Sequence, residues 1–235
     1  MVTIDGRYCG PPGSANGGYA CGVVAEAVPD GPGLVEVTLR TPPPLDHELS
    51  VQQRDGVTVL LDGETLVGEA RRVSQPIESP EPVSLSAASV AAEAFPWATD
   101  HPYPGCFVCG PDRAHGDGLR IFPGPLADRP LAAAPWTPDD SVVSANGRVS
   151  PRVIWAALDC PSWFGLACFE TWEGRPLLGR LAVEILGCPQ PGDACVCVGW
   201  LDERSGRKAL TGSAVYSSAG ELLGRARATW ITVPF

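Results

Sequence analysis

Val153–Phe169 reads VIWAALDCPSWFGLACF, and shortly after it Arg180–Leu186 reads RLAVEIL. The first stretch is apolar apart from Asp159 and predicts a long helix, with Pro161 kinking it or standing near a turn. The second alternates and predicts a strand. Pro189–Pro191 breaks that strand. Ala194–Trp200, Arg207–Ser217 and Leu222–Val233 then read as three more, the last entered through Ala219-Gly220. The pattern is a helix followed by an antiparallel meander.

The same order stands earlier in the chain. Tyr19–Val28 (YACGVVAEAV) is a helix-competent apolar run entered through Asn16-Gly17-Gly18. Leu34–Arg40 alternates, Pro42–Pro44 breaks it, and Glu48–Gln53, Val57–Leu61 and Leu66–Val73 follow as strands, with Asp62-Gly63 as a hairpin signal. Letters repeat as well as order: Gly63–Arg71 is GETLVGEAR and Gly220–Arg227 is GELLGRAR. We read this as a duplication giving two α+β modules around one core. The Pro/Ser-rich stretch Gln75–Ser86 and the Pro/Gly-punctuated Pro96–Gly110 set the boundary. The division is an N-terminal module over 1–85, a linker over 86–104 and a C-terminal module over 105–235.

With 235 residues, 44% of them hydrophobic, the chain can bury a full core, which excludes bulk disorder. A net charge of −10 argues against nucleic acid as a partner. No apolar run has the length of a membrane span, and the start MVTIDGRYCG has neither a charged n-region nor an apolar h-region. The expectation is a soluble, cytoplasmic chain. Its nine cysteines are an odd number, most of them in apolar stretches, and read as free thiols.

Cys106–Phe122 (CFVCGPDRAHGDGLRIF) resembles the entry motif of hotdog-fold acyl-CoA thioesterases, a Cys-Phe-x-Cys-Gly turn and a Gly-Leu pair leading into the first strand. Ser150–Leu166 resembles the segment that follows in that family, where a His-Gly-Gly turn opens the central helix and an acid lies one or two turns further in. The first half looks like the same fold with Asn16-Gly17-Gly18 at the turn. The resemblance therefore implies a tandem double hotdog of the 4-hydroxybenzoyl-CoA thioesterase type. Its fold is α+β, each module an antiparallel sheet wrapped around a helix. It implies thioester hydrolysis without a cofactor, acyl-CoA or another acyl thioester as partner, and units able to assemble into homo-oligomers.

In that family a carboxylate on one unit's helix faces the first glycine N–H at the other unit's helix start. By position the carboxylate is Asp159 and the glycine Gly17, with Asn16 and Gly18 beside it and Trp155 and Trp163 as substrate-binding candidates. The halves depart from the pattern in a complementary way. Ser150-Pro151-Arg152 replaces the glycine turn, and Pro151 has no N–H to donate; Ala25 stands where the first half's acid would be. One composite site can form, and its mirror image cannot. Hydrolysis needs a carboxylate or activated water and donors for the oxyanion, so the Asp159 carboxylate is expected about 5–8 Å from the Gly17 or Gly18 nitrogen, with a pocket between.

Plainer readings of the same residues stand beside these. Asp159 can point to solvent or cap the turn before Pro161, Asn16-Gly17-Gly18 can be a turn and N-cap alone, and Trp155, Trp163 and Phe164 can be core. His101, Cys106, Cys109 and His115 have a spacing that could hold zinc, but the lone Cys pair reads first as a buried structural turn, and no metal is expected. A non-catalytic acyl-CoA or acyl-carrier binding protein of the same fold is the second functional reading. A hotdog dehydratase would need a His–Asp pair on the helix, which is absent. There is no Gly-x-Ser-x-Gly, P-loop or dinucleotide fingerprint.

Overall fold

The computed structural model describes residues 1–29, 31 and 33–234. The chain runs through β1 (Val2–Thr3), α1 (Gly17–Ala25), β2 (Val35–Leu39), β3 (Glu48–Arg54), β4 (Val57–Asp62), β5 (Thr65–Arg72) and α2 (Leu85–Ala92). It continues through β6 (Gly124–Pro125), β7 (Ala132–Trp136), α3 (Pro151–Ala167), β8 (Arg175–Ile185), β9 (Cys195–Ser205), β10 (Lys208–Ser217) and β11 (Leu222–Val233). The strands form one antiparallel sheet in the order β1-β3-β4-β5-β2-β8-β11-β10-β9-β7-β6. β2 and β8 meet at the seam, Val35 opposite Val183 and Val37 opposite Leu181. Outward from it, each side passes through the fourth, third and second strands of its own meander, so β5 and β11, which carry the repeated letters, occupy equivalent places.

The sheet wraps α1 and α3. Every side chain of α3 from Val153 to Leu166 is buried, as an all-round apolar helix requires. Two glycines set how closely the sheet approaches it. A Cβ on Gly199 would lie 1.7 Å from the Pro161 carbonyl oxygen, and one on Gly165 would lie 2.3 Å from the Trp200 nitrogen. Pro161 sits inside the helix rather than at its end. The missing N–H costs one helical bond, and nearby hydroxyls engage the neighbouring carbonyls: Ser213 donates to Leu158 and Ser162 to Asp159. Ser162 also accepts the Trp230 indole N–H at 2.8 Å, tying α3 to β11.

The sequence missed α2, which lies in the stretch read as linker. Ser84 caps it through the Ala87 N–H, and it covers the outer face of the sheet. Along β9, Cys195 and Cys197 face the inner core while Val196 and Val198 face the cluster around Ala88 and Ala91. Burial on both faces explains why this strand reads as a continuous apolar run. The strand expected after the Gly-Leu pair is also corrected. Leu119 and Ile121 give their N–H groups to the carbonyls of Phe107 and Val108, so this segment braces the Cys turn instead of joining the sheet. No helix among the described residues is long and apolar enough to cross a membrane.

Candidate active site

Asn16 caps α1, its Oδ1 accepting the Tyr19 N–H at 2.9 Å. The other end of the same amide donates from Nδ2 to Asp159 Oδ2 at 2.9 Å, and the Gly18 N–H reaches that oxygen at 2.8 Å. Asp159, on α3, is thus docked on the N-terminus of α1, where free N–H groups and the positive dipole end favour a carboxylate.

Helix crossing makes this contact. α1 and α3 run in opposite directions, with Gly18 against Ala156 and Asp159 and Gly22, one turn later, against Arg152 and Trp155. A Cβ on Gly18 would lie 2.5 Å from Asp159 Cβ and 2.6 Å from the Trp155 carbonyl oxygen. Only a residue without a side chain lets the two backbones come so near. The expected gap of about 5–8 Å between carboxylate and glycine is therefore corrected to a direct hydrogen bond.

The correction divides the roles of the two glycines. The Gly18 N–H is occupied by the carboxylate, while the Gly17 N–H makes no hydrogen bond among the described residues and Gly17 lines the neighbouring cavity. The Asp159 Oδ1 atom is buried and also without a hydrogen-bond partner. Asp159 is 2% exposed. Burial pushes its pKa up to about 7, opposed by the Gly18 and Asn16 donors and assisted by negative charge at Cys106.

The cavity has a volume of about 490 Å³. One wall comes from the first half, Asn16, Gly17 and the segment Leu39–Pro43; Asp159, Cys160, Trp163, Phe164 and Trp230 come from the second. Trp163 lies on this wall, its indole N–H without a hydrogen-bond partner among the described residues. Trp155 does not line the cavity; it is buried in the helix crossing, since its position faces Gly22. Gly18 likewise positions the carboxylate rather than lining the cavity.

Sequence reasoning missed the contribution of residues 97–103. Trp97, His101 and Tyr103 line the cavity. His101 Nδ1 accepts the Tyr103 N–H at 2.9 Å, which places the ring proton on Nε2. Nε2 meets no acceptor in hydrogen-bond geometry, although the Cys109 carbonyl acts weakly on the ring. Burial lowers the His101 pKa, so the ring is a neutral donor on the cavity wall. Nothing in the Pro-rich local sequence signals this, because the positions converge only through the tertiary fold.

At the mirror-related place, Ser150 makes no side-chain cap and Pro151 is the first residue of α3. Arg152 pairs there with Glu26 at 2.6 Å. Arg113 and Arg120 are engaged with backbone carbonyls around the Cys turn, whereas Arg40 and Arg175 line the cavity.

Neither a protein-family model nor a curated protein matches the chain by sequence. Solved structures do match its shape. A proposed thioesterase from Novosphingobium aromaticivorans is 14% identical with a TM-score of 0.60, the match covering 99% of this chain and 94% of that one. The tesB protein of Mycobacterium avium subsp. paratuberculosis is 15% identical with a TM-score of 0.55, over 96% of this chain and 90% of that one. A protein of unknown function with a hot dog fold from Alicyclobacillus acidocaldarius is 12% identical with a TM-score of 0.56, over 99% and 92%. The helices wrapped by one antiparallel sheet and these likenesses agree: the chain has the hot dog fold.

Proposed function

We propose that the chain is an acyl thioester hydrolase acting on acyl-CoA. In this reading two fused hot dog modules, residues 1–85 and 105–235 joined through 86–104, share one composite site. The observation that carries it is the docking of Asp159 on the N-terminus of α1, with Oδ1 and the Gly17 N–H both unpaired beside the cavity. An unpaired buried carboxylate oxygen is costly, and a catalytic task accounts for its being kept.

The thioester carbonyl oxygen accepts from the Gly17 N–H, and the acyl group lies along Trp163 and Phe164. Oδ1 faces the carbonyl carbon. Water adds to that carbon with Asp159 taking its proton, the C–S bond breaks, and the departing thiolate recovers the proton. Asn16 and Gly18 hold Oδ2 throughout, so the reacting oxygen is fixed without reorganisation. Arg40, whose guanidinium pairs with Glu69, lines the cavity and can exchange that partner for a phosphate of the CoA moiety.

The test is CoA release from a panel of aliphatic and aromatic acyl-CoAs by wild type and Asp159→Asn. The variant should lose at least ~100-fold in kcat while binding a non-hydrolysable analogue nearly as well. An unchanged kcat removes Asp159 from the reaction. Tight binding without turnover in the wild type identifies a binding protein instead.

A further inference from the structure

Three thiols outside the proposed reaction converge beside it. Cys106 and Cys109 come from the turn that precedes β6, and Cys160 follows Asp159 on α3. All are buried, and their sulfurs lie within 4.8 Å of one another, Cys106 and Cys160 at 3.8 Å. We propose that Cys106, Cys109 and Cys160 form a three-thiolate site for a soft divalent cation, zinc above all.

Distances and chemistry agree on this. A tetrahedral zinc with bonds of about 2.3 Å sets its sulfurs about 3.8 Å apart, the separation of Cys106 and Cys160. Three sulfurs cannot be satisfied by one disulfide, which would leave the third unpaired. The turn is held from several sides. Gly110 donates to the Cys106 carbonyl at 2.9 Å, and a Cβ on Gly110 would lie 2.4 Å from the Pro104 carbonyl oxygen. Phe107 is clamped by Cys9 and Leu119 through both backbone groups.

The ligand set differs from the one the sequence spacing offers. His115 is exposed and outside the cluster. His101 spends its Nδ1 lone pair on the Tyr103 N–H, so Nε2 carries the proton and is no ligand. The fourth position is left to water from the cavity, which Cys106, Cys109 and Cys160 all line. Binding converts the three sulfurs and Zn²⁺ into a tris-thiolate complex and releases one proton from each sulfur that carried one beforehand.

The experiment uses the full chain purified without chelator or metal-affinity resin. Elemental analysis should find one zinc per chain, and replacement by Co²⁺ should give thiolate-to-cobalt charge-transfer bands with the d–d pattern of a tetrahedral site. Cys160→Ser should abolish both, while Cys168→Ser, a cysteine outside the cluster, and Asp159→Asn should keep them. Retention in Asp159→Asn makes this result independent of the hydrolase reading. If Cys160→Ser does not fold, alkylation and peptide mapping of the wild type replaces it: Zn²⁺ should protect these three cysteines and no others. A folded wild type that takes up neither metal overturns the proposal. So does unchanged uptake by Cys160→Ser, protection of a different set, or a native mass two hydrogens light from a disulfide within the cluster.

Discussion

Gly18→Ala tests the helix crossing that creates the site. The added Cβ would stand 2.5 Å from Asp159 Cβ and 2.6 Å from the Trp155 carbonyl oxygen. Heavy atoms rest at about 3.5–4.0 Å, so α1 must withdraw from α3 by about 1 Å. That stretches the 2.8 Å bond from Gly18 N–H to Asp159 Oδ2 beyond hydrogen-bond reach. Overpacking costs about 1–3 kcal/mol, the lost bond to a buried carboxylate about 1.5–3, and the helix propensity of Ala returns about 1. The net is a destabilisation of about 2–5 kcal/mol with a marked fall in kcat. Gly187→Ala, outside the site, is the control, because its Cβ would meet only the end of the Leu223 side chain, at 3.4 Å. Urea unfolding and CoA-release kinetics on both variants give the two readouts. Gly18→Ala unfolding at the wild-type midpoint with unchanged kcat would refute the close crossing.

Asn16→Ala removes both a helix cap and an Asp159 donor, and should cost about 2 kcal/mol by denaturation together with activity; loss of stability alone contradicts its positioning role. Gly199→Ala, whose Cβ would overlap the Pro161 carbonyl oxygen at 1.7 Å, should cost at least ~3 kcal/mol or prevent folding, and a stable variant would show that β9 can move off α3. Asp159 titrates near 7 in the fold against 3.8 for an exposed carboxyl, so the stability lent by its protonated form is complete below the lower value and lost as pH rises through the upper. Asp159→Asn stays neutral and should gain on chelator-treated wild type by about 2–3 kcal/mol between pH ~5 and ~8; a pH-independent difference in melting contradicts this.

Much of the fold was legible because period and order carry it. Alternation located β2 to β5 and β8 to β11, and the repeated letters fell on the topologically equivalent β5 and β11. α2 escaped because Ser and Ala dominate it and its apolar stripe is narrow, only Ala88 and Ala91 being buried. At the site, the family resemblance pointed to Asp159 and Asn16-Gly17-Gly18 as partners, and the departures at Pro151 and Ala25 left one such pairing. Their spacing was misjudged, because sequence does not reveal that Gly18 and Gly22 admit the backbone of α3. Trp155 and Trp163 looked alike in the sequence. Which one faces the cavity depends on helical phase against two different neighbours, α1 and β11. The thiol cluster was half visible as Cys106-x-x-Cys109; its third member, Cys160, lies 51 residues beyond Cys109 and becomes adjacent only when α3 packs on the turn.

The most direct test of the composite site is a crystal structure of the chain with a non-hydrolysable acyl-CoA analogue. The carbonyl oxygen should lie about 3 Å from the Gly17 nitrogen, and the carbonyl carbon about 3–3.5 Å from Asp159 Oδ1 or from a water bound to it. The acyl group should run along Trp163. An analogue seated with its carbonyl remote from both Gly17 and Asp159, or bound at the Glu26–Arg152 end of the helix pair, would contradict the account.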